Sequence, residues 1–413
     1  MRKMKILVHD FSGHPGQIQL SRALAKRGHQ VMHAYFPDAK TATGQVQLTR
    51  EDPPNFTIES VVISRPYEKY KYVRRVLAER EFGRRLGELV LAEDPDVFLT
   101  SNTPPDSLLP LLRQLKKARA TPIWWLQDIY SLGVEAVLSR KSPALGRMIG
   151  GFYRRAELKF GTESKAVVCI SDSFVAHMAK LGISPTKCHV IPNWGPVNEI
   201  VPAPRENRWK AEQGLSGKTI VLYAGTLGLK HNPEILAKAA QLLQESGKRD
   251  TVIMVVAGGP AADNLRVLKS EQRLDQLVIL PWQPYNRLSE MLSSADIVVV
   301  QLEAEAGEFS VPGKVLSYLC VGRPILGAIA KKNLAALTIE EARAGIVVEP
   351  DDHQGFLAGL DRLLSDAEFR EQLGRNGRNY AERTFDIGHI ASRFEAVFVE
   401  AIERHRGAGH PAS

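Results

Sequence analysis

Apolar and polar positions along the chain alternate between two periods. Lys5-Ile6-Leu7-Val8-His9-Asp10 is a short, mostly apolar run, Gln17 to Arg27 spaces its apolar residues as a helix does, and Gln30-Val31-Met32-His33-Ala34-Tyr35 returns to a strand-like run. This is β-α-β spacing. The same alternation predicts strands at Phe56 to Ile63, Asp96 to Ser101, Pro122 to Gln127, Ala166 to Ile170 and His189 to Ile191. Most of these runs are continuously apolar, so helices must cover both faces of the sheet they form, the condition of a parallel sheet.

Around Pro192-Asn193-Trp194-Gly195-Pro196 and Pro202-Ala203-Pro204 the pattern breaks into a proline-marked linker. It then restarts, with strands predicted at Thr219 to Ala224, Val252 to Ala257, Leu277 to Leu280, Ile297 to Gln301, Pro324 to Ala328 and Ile346 to Val348. Two doubly wound α/β domains are therefore expected, residues 1–195 and 196–385. The tail from Phe369 to Arg406 reads as two helices, the last with an apolar stripe of Ile390, Phe394, Val397, Phe398 and Ile402. Residues 386–413 are expected to form that helix, returning to the first domain, and a tail.

A length of 413 residues suits two cores better than one, and 44% hydrophobic with 24% charged residues is a globular composition. No apolar run approaches the ~18 residues that cross a bilayer, and Met1-Arg2-Lys3-Met4 leads straight into a strand, leaving no room for a signal peptide. A cytoplasmic protein, possible peripheral contact with the inner membrane face included, is the expectation. Cys169, Cys188 and Cys320 lie far apart with no Cys-x-x-Cys pair, and all three read as core thiols rather than a disulfide framework or zinc site. Net charge is +8, but residues 1–195 carry +11 and the remainder −3. The first half therefore has an anionic neighbour or simply a well-solvated face.

Ligands of open α/β sheets lie at the carboxyl ends of strands, and four turns there are unusual. Ser12-Gly13-His14-Pro15-Gly16-Gln17 precedes the first helix, where glycines let a ligand approach free N–H groups; it lacks Gly-x-Gly-x-x-Gly spacing and reads equally as a tight turn. Ala224-Gly225-Thr226-Leu227-Gly228-Leu229-Lys230-His231-Asn232-Pro233 places Lys230 where it neutralises a phosphate or is merely solvated, and Val256-Ala257-Gly258-Gly259-Pro260 adds a second glycine turn. Gln301 to Leu319 is the most specific stretch: acidic residues, then Val311-Pro312-Gly313-Lys314-Val315 opening a helix. Backbone N–H groups of Gly313, Lys314 and Val315 suit a diphosphate and Glu308 a sugar hydroxyl. Trp124-Trp125-Leu126-Gln127-Asp128-Ile129-Tyr130 ends a strand on Asp128, a carboxylate able to orient an acceptor hydroxyl, take its proton, or only cap a helix. Asp94-Pro95-Asp96 opens a buried-looking strand, so no metal site is expected.

In this order, the glycine loop, Arg22 to His29, Ala166 to Ser173, Val190-Ile191-Pro192-Asn193-Trp194, Tyr223-Ala224-Gly225, Ala257 to Pro260, Ala295-Asp296-Ile297-Val298-Val299 and Gly322-Arg323-Pro324-Ile325 resemble glycosyltransferase family 4. Those are retaining, nucleotide-sugar-dependent transferases of the GT-B fold, two Rossmann-like domains facing across a cleft. The resemblance implies that Lys230 and Lys314 hold the donor's diphosphate, with Thr226 standing where the family usually has Arg. It assigns Gly16, Gly225, Gly258, Gly259, Val311, Pro312, Gly313, Val315 and Ser317 to the donor, with Pro281 and Trp282 near its base, and Gly13, His14 and Asp128 to the acceptor. Asp128, Lys230 and Glu308 carry the catalytic roles. The family's pair of glutamates with seven residues between them is broken here: Ser317 takes the second place and Phe309 the first. Pro-Gly-Lys-Val-Leu-Ser-Tyr-Leu resembles the branch that builds exopolysaccharides and O-antigens. The partners it implies are a UDP- or GDP-linked sugar and no nucleic acid, and no metal or other cofactor is required.

Between Arg65 and Arg85, eight basic and three acidic residues interleave with Tyr67, Tyr70, Tyr72 and Phe82, and a second basic stretch runs from Arg140 to Lys165. Such stretches suit an anionic membrane carrying a lipid-linked acceptor, or an ordinary solvated helix face. A nucleotide-sugar 2-epimerase of the same fold and a non-catalytic relative are the competing readings.

Overall fold

The computed structural model describes residues 2–39, 44–69, 71–139, 142–227, 233–304 and 311–407. Thirteen strands appear among them: β1 Lys5–Asp10, β2 Gln30–Tyr35, β3 Phe56–Ser60, β4 Val97–Ser101, β5 Thr121–Leu126, β6 Ala166–Cys169, β7 Cys188–Val190, β8 Thr219–Thr226, β9 Thr251–Gly258, β10 Leu277–Leu280, β11 Ile297–Gln301, β12 Ile325–Ala328 and β13 Gly345–Val348. All neighbours pair in parallel, in the orders β3-β2-β1-β4-β5-β6-β7 and β10-β9-β8-β11-β12-β13. The apolar runs form strands because β1, β4, β5 and β6 in the first sheet, and β8, β9, β11 and β12 in the second, are covered on both faces and nearly wholly buried. β3 lies at an edge with burial alternating, and it stops at Ser60, short of the predicted Ile63.

The chain divides into two compact units, residues Met1–Asn193 with Ile387–Ser413, and Trp194–Asp386. In the first, order reverses between β1 and β4; in the second, between β8 and β11. These are the switch points at which an open sheet leaves room for a ligand beyond the strand ends.

The second unit's core gathers Val221 and Tyr223 of β8, Ile253 and Val255 of β9, Ile297 and Val299 of β11, and Leu326 and Ala328 of β12. Ile235 to Leu243, Leu265 and Phe356 to Leu363 pack against that face. The last helix, Ile387–Gly407, belongs to the first unit. Its Phe394 ring lies 4.8 Å from Trp125 of β5, and its buried Glu395 takes a bidentate bond from Arg27, both at 2.7 Å, and one from His29 Nε2 at 3.0 Å.

Three sequence expectations take a structural form. Cys188 is only half-buried: it pairs with Val167 of β6, two residues from Cys169, and its thiol donates to the Ser184 carbonyl at 3.7 Å. The two residues, far apart in sequence, thus share a sheet edge. Asp96 accepts the Lys5 N–H at 2.8 Å, and Asp94 ends the helix Tyr72–Glu93 in the left-handed region. At least seven of the eight basic residues between Arg65 and Arg85 have a carboxylate within 4.0 Å, on Glu68, Glu79, Glu81, Glu88 or Asp106. The charge of that stretch is spent largely on its own neighbours.

Candidate functional site

β8 and β11 pair at Ile297 with Val221 and at Val298 with Leu222, yet β8 continues to Thr226 and β11 to Gln301. Beyond that pairing the buried hydroxyl of Tyr318, on the helix Lys314–Val321, stands between the strands. It accepts the Ala224 N–H at 3.0 Å and donates to the Val299 carbonyl at 3.2 Å. The wedge satisfies backbone groups that separated strands would otherwise leave buried and unpaired. Burial raises the Tyr318 phenol above its ordinary pKa, so it remains a donor.

Gly225 lies at the mouth of this opening with φ of 128°. A Cβ there would meet Lys314 Cε and Nζ, each at 3.3 Å, in a backbone conformation that side chains rarely adopt. The Lys314 ammonium sits 3.5 Å above the Tyr223 ring centroid, while the Tyr223 hydroxyl donates to the Thr226 carbonyl at 2.9 Å. A cation–π contact and the bare backbone of Gly225 thus hold one positive charge at the switch point.

The helix Lys314–Val321 begins at Gly313 with no side-chain cap, so its dipole also points positive end outward. One expected donor changes: the Val315 N–H bonds the Pro312 carbonyl at 3.2 Å, because the chain enters the helix through a tight i to i+3 turn. Val311 and Pro312 are half-buried ahead of the exposed Gly313, and Ser317 is half-buried one turn on.

Register joins a second group to the first. Thr226 stands opposite Gly258, and the Leu227 N–H bonds the Gly258 carbonyl at 3.1 Å. Trp282, 37% exposed and next to the exposed Pro281, lies against Gly258, whose added Cβ would fall 3.1 Å from the indole. Gly259 has φ of 114° and opens the helix Pro260–Gln272. The second unit therefore brings Gly225, Thr226, Gly258, Gly259, Trp282, Gly313 and Lys314 to the carboxyl ends of β8 to β11. Lys230 and Glu308 lie outside the described residues.

Sequence reasoning passed over Gln301, Tyr223 and Tyr318. The signal for Gln301 was a lone amide closing an otherwise apolar strand. It is 3% exposed, and among the described residues neither its Oε1 nor its Nε2 has a partner.

In the first unit the Gly13 turn is held from within: the Asp10 carboxylate takes the His14 N–H at 2.5 Å and the Asn102 amide, and the Gly13 carbonyl takes the Gly44 N–H at 2.7 Å. Gly13 has φ of 66°, and Gly16 is the second residue of the helix Pro15–Lys26, so it belongs to this unit while the other donor candidates belong to the second. Asp128 is half-buried after β5. Its neighbour Gln127 exchanges two amide bonds with Asn193, at 2.6 and 3.1 Å, which fixes that strand end. Burial and then the Asp128 charge raise the Tyr130 phenol. Below these turns, buried His9 and His33 each bond one hydroxyl, of Thr100 and Ser21, both at 2.8 Å. Burial lowers them to about 3 and about 4.

On the helix Pro143–Glu163 the exposed residues Leu145, Met148 and Phe152 form one stripe that continues into exposed Arg155 and Lys159. Tyr72, Val73 and Leu77, at the start of the helix Tyr72–Glu93, are exposed as well, and the Tyr72 hydroxyl lies 3.2 Å from that of Tyr153. Among the described residues no helix is long and apolar enough to cross a membrane, and no three His, Cys, Asp or Glu gather as a metal set.

Residues 18–195 match the family model for Glycosyltransferase Family 4, and residues 205–380 the model for Glycosyl transferases group 1. The putative colanic acid biosynthesis glycosyl transferase WcaI of Escherichia coli (strain K12) is 24% identical over 232 residues, 55% of this chain and 55% of that protein. The match thus spans about half of that relative's length. Sucrose-phosphate synthase from Thermosynechococcus elongatus superposes with TM-score 0.75 at 17% identity, covering 97% of this chain and 100% of that one. Anabaena HepE in complex with UDP-glucose superposes with TM-score 0.70 at 16% identity, covering 96% and 99%. These structural likenesses show the fold, which is that of the GT-B glycosyltransferases.

Proposed function

Because the chain belongs to the family 4 and group 1 glycosyltransferases, we propose that it transfers a sugar, with retention, from a nucleoside-diphosphate sugar to an acceptor in cell-surface polysaccharide synthesis. The observation that carries the donor half is the Lys314 ammonium held between Gly225 and Tyr223 at the uncapped start of a helix. Leaving-group departure places negative charge on the diphosphate as the bond from the anomeric carbon breaks. A fixed ammonium and helix dipole stabilise that charge without reorganising, and no metal is needed. Trp282 beside Gly258 offers a face for the base. Lys230 and Glu308 keep in this proposal the roles the resemblance implies, and Asp128 is the carboxylate that orients or deprotonates the acceptor hydroxyl. The likeness to HepE, a protein that binds UDP-glucose, favours a nucleotide-sugar donor, and the likeness to WcaI favours polysaccharide synthesis.

Calorimetry with UDP and GDP tests the reading directly: at least one binds the wild type, Lys314→Ala weakens it about tenfold, roughly 1.4 kcal/mol, and donor turnover requires an acceptor and persists in EDTA. Binding of neither nucleotide overturns it, and turnover without acceptor would favour an epimerase.

The acceptor is proposed to be lipid-linked, supported by the Leu145, Met148 and Phe152 stripe with its following Arg155 and Lys159. Apolar residues enter the acyl boundary while the basic ones meet anionic headgroups. Flotation with vesicles containing anionic lipid is expected to recover the protein, and Phe152→Ser with Met148→Ser to abolish recovery. Equal recovery with neutral lipid would remove the electrostatic part.

A further inference from the structure

The amide of Gln301 is polar, deeply buried and without a hydrogen-bond partner among the described residues, a combination that native structures rarely keep without a use. β11 is otherwise Ile297, Val298, Val299 and Val300, all buried in the sheet. Side chains alternate along a strand, so Gln301 shares the face of Ile297 and Val299. On one side its register partner is Ala328. On the other, extending the pairing of Val298 with Leu222 by three residues sets it level with Gly225, the residue against which Lys314 packs. Gln301 therefore stands at the switch point itself, where β8 and β11 have parted around the Tyr318 hydroxyl.

We infer that the Gln301 side-chain amide is a contact for a hydroxyl of the donor's sugar, a role that rests on the transferase reading above. The choice among ligand groups follows from what an amide needs. A diphosphate only accepts hydrogen bonds, so it would satisfy Nε2 and leave Oε1 bare. A sugar hydroxyl both donates and accepts, so a pair of neighbouring hydroxyls satisfies both atoms of one amide. The diphosphate already has Lys314 and the helix start. Reaching the ligand costs Gln301 little, since rotation about its own side-chain bonds breaks no hydrogen bond and gains two. Leaving both atoms unbonded in the ligand-free protein is a local cost to stability, as expected where a fold is strained for function.

Gln301→Met keeps the length and apolar stem of the side chain and removes both polar atoms. Wild type and variant are titrated with UDP, GDP, UDP-glucose, UDP-N-acetylglucosamine and GDP-mannose, and both are melted without ligand. The expected result is unchanged affinity for the nucleoside diphosphate, at least tenfold weaker binding of the nucleotide sugar the wild type prefers, and a ligand-free melting temperature equal to or above that of wild type. Equal loss of nucleoside diphosphate and nucleotide sugar, no loss of either, or a lower ligand-free melting temperature overturns the assignment. So does a wild type that binds UDP or GDP but none of the three nucleotide sugars. A wild type that binds no nucleoside diphosphate removes the transferase reading itself, and the role of Gln301 with it.

Discussion

His9 and His33 show how far single side chains depart from their ordinary chemistry. Both are neutral in either state above pH 6.5, and below it the unfolded chain takes up protons that the folded one refuses until about pH 4 for His33 and about 3 for His9. Stability is therefore full above 6.5 and falls with pH by about 1.4 kcal/mol per unit for each histidine. Glu79 acts oppositely: burial raises it to about 7, so the folded state keeps a proton that the unfolded chain releases above about 4.5. Its contribution is present at low pH and lost as pH rises through 7. Urea titrations between pH 7 and 4 should show His33→Asn flattening the acid loss and Glu79→Gln steepening it. Identical slopes in all three proteins would refute the assignment. The histidines stood in strand-like runs, but nothing local told their burial from an exposed place, which depends on the helices that cover them.

At the scale of elements, the Tyr318 hydroxyl is the piece that keeps β8 and β11 apart. Tyr318→Phe leaves the Ala224 N–H and the Val299 carbonyl without that partner and is expected to cost about 2 kcal/mol, read as a lower urea midpoint with an unchanged slope. The same variant should weaken nucleotide binding, because Lys314 is the first residue of that helix. Strand identities were legible beforehand because continuous apolar runs and the glycines after them are local signals. The pairing of Lys314 with Tyr223 was not, although both lay in stretches singled out for the donor, because 91 positions separate them and only the sheet register sets them face to face. The Val315 N–H was assigned to a diphosphate from its place at a helix start, and the geometry of the turn before it decided otherwise.

For the whole molecule, the last helix ties the chain's end to its beginning. Glu395 bonds Arg27 and His29, and the bonds from Arg27 hold its carboxyl below the usual range. Glu395→Ala strands a buried imidazole and an arginine, and is expected to cost the first unit about 3 kcal/mol. Denaturation followed by tryptophan fluorescence checks it, with Trp124 and Trp125 reporting on that unit. The net positive charge of residues 1–195 also changes meaning at this scale, since most of the stretch from Arg65 to Arg85 is paired internally. On the helix Pro143–Glu163, Arg155 and Lys159 are exposed beyond Phe152.

The sequence by itself determined two parallel α/β sheets and the turns that end their strands, because residue period and the demand to bury continuous apolar runs act over a few positions. It also carried the family resemblance, through short motifs in a fixed order. Only the tertiary structure decided that Cys188 falls beside the strand of Cys169, that Lys314 rests on Tyr223, that Tyr318 parts the central strands and that the Gln301 amide is buried without a partner among the described residues. Each depends on register between segments distant in the chain, which no local pattern specifies.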